Sequence, residues 1–183
     1  GSGARPGDAV IVSGTVGDHG LTVLSRREGL SLASDVQSDS AALNVMVEEL
    51  ILTIGDIHCL RDPTRGGLAT KLNEIAQQSQ LVCALHEDSI PVRDSVAAGC
   101  PVLGLDPLYR ANGGKFICIL PATKADEAIR TMQSYPEGKD AALICYFSTP
   151  DGLTRAGQVL FQPRTGGKSL MGRLEGEQPP RSC

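Results

Sequence analysis

The sequence predicts a single α/β (α+β) domain in which a mixed sheet is flanked by helices. Its 183 residues are enough for one domain with a core of its own. Short apolar runs alternate with segments of helical periodicity, a pattern typical of layered folds that contain both element types. Aromatic residues are scarce (3 Phe, 3 Tyr and no Trp), so we expect a core of Leu, Ile, Val and Ala.

The apolar pattern predicts each element in turn. Runs of consecutive apolar residues predict strands at 8–14, 81–85, 116–120, 142–147 and 159–161. Apolar residues three and four positions apart predict helices at 17–29, 40–55, 67–78, 91–99 and 124–132, with one further helical turn at 106–111. Pro91 is expected in the first turn of its helix, where its missing N–H costs nothing.

Residues 40–55 give the clearest helical pattern. Their apolar side chains fall at i, i+4, i+7 and i+11 on one face: Leu43, Val47, Leu50 and Ile54. Asp39 or Ser40 can cap the start of this helix, and Gly55 can end it.

We expect three segments along the chain. Residues 1–3 (Gly-Ser-Gly) have the composition of an expression-tag remnant, and residues 4–163 form the domain. From residue 164 onward apolar periodicity stops and Gly, Arg, Gln and Pro dominate. Residues 164–183 are therefore predicted to be a flexible tail.

Composition disfavours several classes of function. A net charge of −4 argues against a nucleic-acid partner, since such proteins need a basic surface. No apolar run reaches the roughly 20 residues that span a bilayer, so no membrane partner is expected. The six cysteines form neither a CxxC pair nor a Cys/His cluster with zinc spacing. We expect a cytoplasmic protein with no disulfide framework and no metal site.

Cys183 is the strongest candidate for chemistry. Pro179-Pro180 favours an extended segment and lowers the entropy lost when that segment docks. Arg181 places a cation near the thiol and favours the nucleophilic thiolate. The alternative is that Cys183 is an unimportant residue of a frayed terminus.

The loop at residues 61–67 (Arg-Asp-Pro-Thr-Arg-Gly-Gly) is the second candidate. Backbone N–H groups at a glycine-containing helix start can hold an anion, and Arg65 can add a bidentate contact to a phosphate. The predicted phosphate-binding or substrate-binding residues are Asp62, Thr64, Arg65, Gly66 and Gly67. The alternative is an ordinary capped turn with Asp62 or Thr64 as N-cap.

Two further motifs have simple structural interpretations. Asp18-His19 is interpreted as a helix-capping Asp beside a surface His, because adjacent residues on a helix do not face each other. Residues 112–115 (Asn-Gly-Gly-Lys) are interpreted as a turn before a strand.

Four stretches together resemble one known family. They are residues 7–20 (GDAVIVSGTVGDHG), 61–76 (RDPTRGGLATKLNEIA), 106–115 (DPLYRANGGK) and the closing Pro-Arg-Ser-Cys at 180–183. In this order the chain resembles the C-terminal domain of the HypE family of hydrogenase expression/formation proteins. The resemblance implies the fold of the C-terminal domain of the aminoimidazole ribonucleotide synthetase superfamily.

The resemblance also implies a chemistry. In that family the terminal cysteine, here Cys183, accepts a carbamoyl group from the carbamoyltransferase HypF. ATP, bound with Mg²⁺ by the complete enzyme, then drives dehydration of the S-carbamoyl group to a thiocyanate. The cyanide passes through a HypC–HypD scaffold to the iron of a nickel–iron hydrogenase. Pro180 and Arg181 are then expected to dock the tail.

Two departures from the family pattern qualify these expectations. The family's N-terminal half, which builds most of the ATP site, has no counterpart in this sequence. The chain alone is therefore expected neither to bind ATP tightly nor to hydrolyse it, and a separate N-terminal half or a second copy is an expected partner. Gly113 stands where the family pattern has Glu. The alternative function is a non-catalytic binding module that docks maturation partners.

Overall fold

A mixed sheet forms the centre of the computed structural model, which describes residues 3–27 and 43–172 and, for residues 23–27, the backbone alone. In these residues seven strands lie in the order β2-β4-β1-β5-β3-β6-β7. Only β3 and β6 run parallel; the other neighbours are antiparallel. The strands are β1 (Asp8–Val12), β2 (Cys59–Arg61), β3 (Val82–His86), β4 (Ile117–Pro121), β5 (Ala142–Ser148), β6 (Val159–Gln162) and β7 (Ser169–Leu170).

Helices cover both faces of this sheet, as the sequence predicted. They are α1 (Asp18–Arg27), α2 (Asn44–Ile54), α3 (Gly67–Ser79), α4 (Asp94–Val102) and α5 (Ala125–Gln133). Short 3-10 turns occur at Glu87–Ser89, Pro107–Tyr109, Ala122–Lys124 and Pro136–Gly138. The second of these is the helical turn predicted at 106–111.

Strand β1 divides the core into two layers. All five of its residues are buried, and successive side chains point to opposite faces. Val10 and Val12 pack in one cluster with Leu68, Leu72 and Ile75 of α3. On the other face, Ala9 and Ile11 pack with residues of α2 and α5, among them Met46, Leu50, Ala128 and Met132. As predicted, the cores contain mostly aliphatic side chains.

Helix α2 confirms part of the predicted pattern. Leu50 and Ile54 are buried, Leu43 and Val47 are partly buried against the same cluster, and Gly55 ends the helix with φ 72°. The helix begins at Asn44, with Leu43 as an N-cap that makes no side-chain hydrogen bond. Asp39 and Ser40, the predicted caps, lie outside the described residues. The opposite face of α2 exposes three apolar side chains, Val45, Ile51 and Leu52.

The start of one helix was predicted wrongly, and an edge strand was not predicted. Helix α4 begins at Asp94, three residues after Pro91, whose carbonyl instead accepts a hydrogen bond from the Val16 N–H. Strand β2 was missed because it has only three residues, which run from buried to exposed and end in a charged side chain. It forms an edge of the sheet through its pairing with β4.

The predicted start of the tail at residue 164 is too early. Ser169 and Leu170 form β7 on the edge of β6, and the Met171 N–H donates to Val159 O at 2.8 Å. Met171 is only 6% exposed and belongs to the α3-side core. A single apolar residue in a polar stretch carries no periodicity, so the sequence pattern did not reveal this packing. Residues 173–183 lie outside the described residues.

The described cysteines behave as buried apolar side chains. Cys59, Cys83, Cys100, Cys118 and Cys145 are all free and buried. In the part of the chain that the structure describes, no helix is long and apolar enough to cross a bilayer.

Replacing Leu50 by Ala should destabilise the domain by roughly 2–5 kcal/mol, because Leu50 is fully buried beneath α2 and its removal leaves a cavity. Leu52→Ala is the matched control on the same helix, since Leu52 is 79% exposed and should change stability by less than about 0.5 kcal/mol. Urea denaturation of both variants measures the difference. Equal effects would contradict the assignment of the two faces of α2.

Candidate functional site

Three loops leave the sheet at the same end and meet there. Val12, the last residue of β1, and Arg61, the last residue of β2, both pair with Ile117, the first residue of β4. Since β4 is antiparallel to both neighbours, the loops after β1 and β2 lie beside the loop that precedes β4. We call this meeting of residues 13–17, 62–66 and 106–116 the loop junction.

Asn112 connects the three loops through hydrogen bonds. Its Oδ1 accepts from the Gly17 N–H at 2.7 Å, and its backbone N–H donates to Pro63 O at 3.2 Å. Its Nδ2 donates to Arg110 O at 3.0 Å. Asn112 is only 1% exposed, so these bonds are shielded from water. The stretch predicted as a simple turn is thus the centre of the loop junction.

Two glycines allow the loops to approach closely. Gly67 has φ 65°, and a Cβ there would overlap Leu108 O and lie 2.7 Å from Arg110 O. Gly17 has φ 92°, and a Cβ there would lie 2.7 Å from the Cβ of Pro107. Any side chain at either position would therefore meet both backbone strain and a steric clash.

The start of α3 carries the predicted phosphate-binding residues. Asp62, Thr64 and Arg65 are exposed, and the Thr64 hydroxyl donates to Asp62 Oδ2 at 2.8 Å. The N-cap is Gly66 in the left-handed conformation, and no side chain caps the helix. The interpretation as a turn capped by Asp62 or Thr64 is therefore wrong. The arrangement leaves an uncapped helix start beside an exposed arginine, a combination that can attract an anion.

A buried carboxylate lies behind the first loop. Asp18 is 1% exposed and accepts a hydrogen bond from the Thr15 hydroxyl. Its Oδ1 lies 3.5 Å from Arg93 Nε, which also donates to Thr15 Oγ1 at 3.3 Å. Sequence reasoning placed Asp18 at the start of α1 but missed Arg93, because 75 residues separate the two. His19, interpreted as a surface residue, is partly buried.

An open cleft of about 550 Å³ lies next to this ion pair. Its lining combines two basic and two acidic side chains with apolar ones: Thr15, Pro91, Val92, Arg93, Asp94, Lys139, Asp140 and Ala141.

A contact between His58 and two aspartates lies at the other end of β1. His58 Nδ1 is 2.7 Å from Asp8 Oδ2, and His58 Nε2 is 3.2 Å from Asp56 Oδ1. Residue spacing in the sequence indicated no partner for His58. The contact between His58 and Asp8 forms only in the folded chain, where β1 and β2 both pair with β4. This cluster contains no reachable nucleophile. Among the described residues, no group of three or more His, Cys, Asp or Glu side chains is placed to hold a metal.

Two of the buried thiols are poor nucleophiles. Burial raises the pKa of Cys118 to about 12, and burial together with the nearby Cys83 raises the pKa of Cys145 well above its usual value. Both thiols therefore stay protonated at neutral pH, where the reactive thiolate is absent. The predicted tail residues Pro180, Arg181 and Cys183 lie outside the described residues.

A family model described as AIR synthase related protein, C-terminal domain, matches residues 5–152. The chain belongs to this family. The match confirms the superfamily that the sequence motifs indicated, and it includes all three loops of the junction.

Full-length relatives give a more specific similarity. The chain is 46% identical over 186 residues to the carbamoyl dehydratase HypE of Azotobacter vinelandii, which covers 100% of the chain and 52% of that relative. A crystal structure of the hydrogenase maturation protein HypE shares 57% identity with a TM-score of 0.95, over 100% of this chain and 57% of that one. The chain thus spans about half the length of the proteins it matches.

Two further solved structures contain a bound molecule or a partner. HypE in complex with ATP is 56% identical with a TM-score of 0.92, over 96% of this chain and 53% of that chain. A HypE–HypF complex contains a chain that is 37% identical with a TM-score of 0.84, over 94% of this chain and 54% of that one. These similarities confirm the resemblance to HypE that the sequence motifs gave.

Replacing Asn112 by Ala should destabilise this AIR synthase related domain by roughly 1–3 kcal/mol, because the buried Gly17 N–H loses its acceptor. Asn44→Ala, at an exposed position that begins α2, should change stability by less than about 0.5 kcal/mol. Thermal and urea unfolding measure both. An Asn112→Ala protein as stable as the Asn44→Ala control would show that the loop junction does not depend on Asn112.

Proposed function

We propose that this chain is the C-terminal part of a carbamoyl dehydratase of hydrogenase maturation, with Cys183 as the sulfur that carries the carbamoyl group. The observation that carries the proposal is the loop junction. Three stretches far apart in sequence, which carry the resemblance to HypE, meet around Asn112 in a chain that matches HypE along its whole length. Such convergence is typical of a functional site rather than of general packing.

The choice of Cys183 follows from the state of the other thiols. The five described cysteines are buried, and burial raises the pKa of the Cys118 and Cys145 thiols above their usual values. Cys183 instead follows Pro179, Pro180 and Arg181, where the prolines favour an extended segment and the arginine favours the thiolate. We propose that Pro180 and Arg181 dock the segment at the partner's site.

The proposed reaction has two steps. The Cys183 thiolate attacks the carbonyl carbon of an activated carbamoyl group, and the activating group leaves with the electron pair of its bond. In the second step ATP transfers its terminal phosphoryl group to the carbamoyl oxygen, forming ADP. Loss of both N–H protons and departure of that oxygen with inorganic phosphate leave a thiocyanate on Cys183. Exclusion of bulk water protects the activated group from hydrolysis.

We propose that the start of α3 contributes to the phosphate site. No side-chain hydrogen bond caps the helix start at Gly66, and the side chain of Arg65 beside it is exposed. Asp62 and Thr64 bond to each other and shape the loop that precedes the glycines. An anion at a helix start is stabilised by the helix dipole and by backbone donors. ATP with Mg²⁺ is proposed to be bound jointly with an N-terminal half.

The proposed partners follow from the same chemistry. A carbamoyltransferase such as HypF would load Cys183, and the 37% identity to the HypE chain of a HypE–HypF complex supports this partner. A HypC–HypD scaffold would accept the cyanide. An N-terminal half, or a second copy of the chain, would complete the site, since the matched relatives are about twice as long.

A specific residue favours the second candidate, a binding module without dehydratase activity. The resemblance to HypE implies a Glu at the position of Gly113, next to Asn112 in the loop junction. A Glu there is a suitable acceptor for the N–H protons released on dehydration. Without it, this chain would dock maturation partners as a binding module and carry out no chemistry of its own.

Incubation of the chain, joined to an ATP-binding half, with the carbamoyltransferase, carbamoyl phosphate and ATP should add one carbamoyl group to Cys183. Peptide mapping by mass spectrometry locates the adduct. Cys183→Ala should abolish it, and the matched control Cys59→Ala should retain it, because Cys59 is buried. An adduct on any of the five buried cysteines, or none at all, would overturn the acceptor role.

Gly113→Glu should raise the rate at which the S-carbamoyl group is dehydrated, on the order of 10²-fold, a typical gain from a positioned general base. Gly113 does not have a positive φ, so a side chain there meets no backbone strain. Gly113→Gln is the control, since its amide cannot accept a proton. Mass spectrometry follows conversion of the carbamoyl adduct to the thiocyanate. Equal rates for Glu and Gln would exclude proton acceptance at this position.

A further inference from the structure

Two thiols in the core beneath α3 are in direct contact. Cys83 Sγ on β3 lies 2.8 Å from Cys145 Sγ on β5, and both cysteines are free. The sulfur atoms of a disulfide are about 2.05 Å apart, so a shift of less than about 1 Å separates this contact from a covalent bond. The proposed carbamoyl chemistry uses neither thiol.

Strand pairing explains why the two sulfur atoms meet. Strands β3 and β5 are antiparallel neighbours, and Cys83 lies opposite Phe147. Cys145 precedes Phe147 by two positions, so its side chain points to the same face of the sheet. All three residues belong to the α3-side core. Side chains that are diagonal to each other on one face of an antiparallel pair can interact, and the ladder already holds these two in place.

The other described cysteines lie too far from this contact to compete for it. Cys118 packs in the cluster on the opposite face of the sheet, and Cys100 packs in a third cluster. Cys59 belongs to the α3-side core but lies on β2, which β4 and β1 separate from β5. Three strand spacings amount to roughly 14 Å, beyond the reach of a disulfide. Among the described residues, Cys83 and Cys145 are thus the one pair of thiols placed to form a bond.

Burial slows any reaction of the pair. Cys83 has no exposed surface, and Cys145 is 6% exposed. Burial, together with the hydrogen bond between the two thiols, raises the pKa of Cys145 well above its usual value. The reactive thiolate is therefore scarce at neutral pH. Oxidation requires a small oxidant and a local opening of the sheet, and it should be slower than oxidation of an exposed thiol.

We propose that Cys83 and Cys145 form a redox modification site, at which hydrogen peroxide converts the two thiols into a disulfide between β3 and β5. The Cys145 sulfur, the more exposed of the two, attacks one peroxide oxygen as a thiolate, and the O–O bond breaks with loss of hydroxide. Cys83 attacks the resulting sulfenic acid, so the S–S bond forms as the S–O bond breaks and water leaves. The two thiols lose two electrons and two protons, and hydrogen peroxide is reduced to two waters.

The disulfide would strengthen a short connection within the sheet. The pairing of β3 with β5 comprises two residue pairs, whereas β1 pairs with β4 through five and β3 with β6 through four. This short ladder joins β3 and β6 to the strands on the other side of β5. A bond between residues 62 positions apart restricts the unfolded chain, and it should lower the equilibrium constant for unfolding on the order of 10²-fold.

The first test locates the bond. After the reduced full chain is exposed to hydrogen peroxide, peptide mapping without reductant should show Cys83 joined to Cys145. A parallel sample of reduced glutathione shows when the oxidant has acted. Cys83→Ala should abolish the linked peptide, whereas Cys118→Ala, a matched substitution at another fully buried cysteine, should retain it.

Three results from the unaltered protein would overturn the site, so the test stands even if Cys83→Ala fails to fold. In the first, a maleimide still labels both cysteines when the treated protein is unfolded in urea, under conditions that fully oxidise glutathione. In the second, either sulfur is joined to a different cysteine. In the third, either sulfur is found as a sulfinic acid instead of a disulfide.

The second test measures the effect of the bond on the sheet, in a Cys183→Ala background that removes the terminal thiol. Urea denaturation of the oxidised protein should give an equilibrium constant for unfolding about 10²-fold lower than that of the reduced protein, and dithiothreitol should reverse the change. Cys83→Ala in the same background should show no change on treatment with peroxide. A disulfide-linked protein that unfolds at the same or a lower urea concentration would show that the bond does not strengthen the β3–β5 connection. Neither test uses ATP or a maturation partner, so both outcomes are independent of the proposed function.

Discussion

The hydrogen bond from the Gly17 N–H to Asn112 Oδ1 is the contact on which the arrangement of the loops depends. It joins residues 95 positions apart, and it is buried, so water cannot replace either partner. Because the same asparagine also bonds Arg110 O and Pro63 O, the first, second and third loops share one residue. Loss of the Asn112 acceptor would affect elements on three separate stretches of the sequence.

Close packing of the loops also requires two glycines. Gly17 and Gly67 both adopt positive φ, and each lies against the third loop at distances that exclude a Cβ. Hydrogen bonds hold the loops together, while the glycines let them come near enough for those bonds to form. Thr64 and Arg65 of the second loop are exposed, so their side chains can contact other molecules without changing the packing of the three loops.

Much of the architecture could be predicted from local pattern. The five longer strands and five helices follow from runs and periodicity of apolar residues, which report burial directly. β2 and β7 could not be predicted, since strands of three and two residues carry too few positions to show alternation. Met171 shows the same limit, because its burial depends on a partner surface supplied by α3 and β6. The apolar pattern of neighbouring residues does not indicate such a surface.

The candidate site could likewise be predicted only in part from the sequence. The glycine-rich loop at 61–67 and the stretch at 112–115 were visible as motifs, yet the role of Asn112 as the connection between them was not. Arg93 lies beside Asp18, and His58 lies beside Asp8, although 75 and 50 positions separate the partners in sequence. Their geometry arises from strand order and from helix packing, so it exists only once the chain is folded.

Strand β7 also determines how this protein can be shortened. It covers the outer edge of β6, and an uncovered strand edge presents unpaired N–H and C=O groups that recruit other chains. A truncation that ends before Ser169 would therefore do more than remove the cysteine. It would open the sheet to intermolecular pairing and empty the pocket that Met171 fills. A truncation after Gly172 keeps β7 on the edge of β6. Such a variant therefore separates the effect of losing the cysteine from the effect of exposing the sheet edge on solubility.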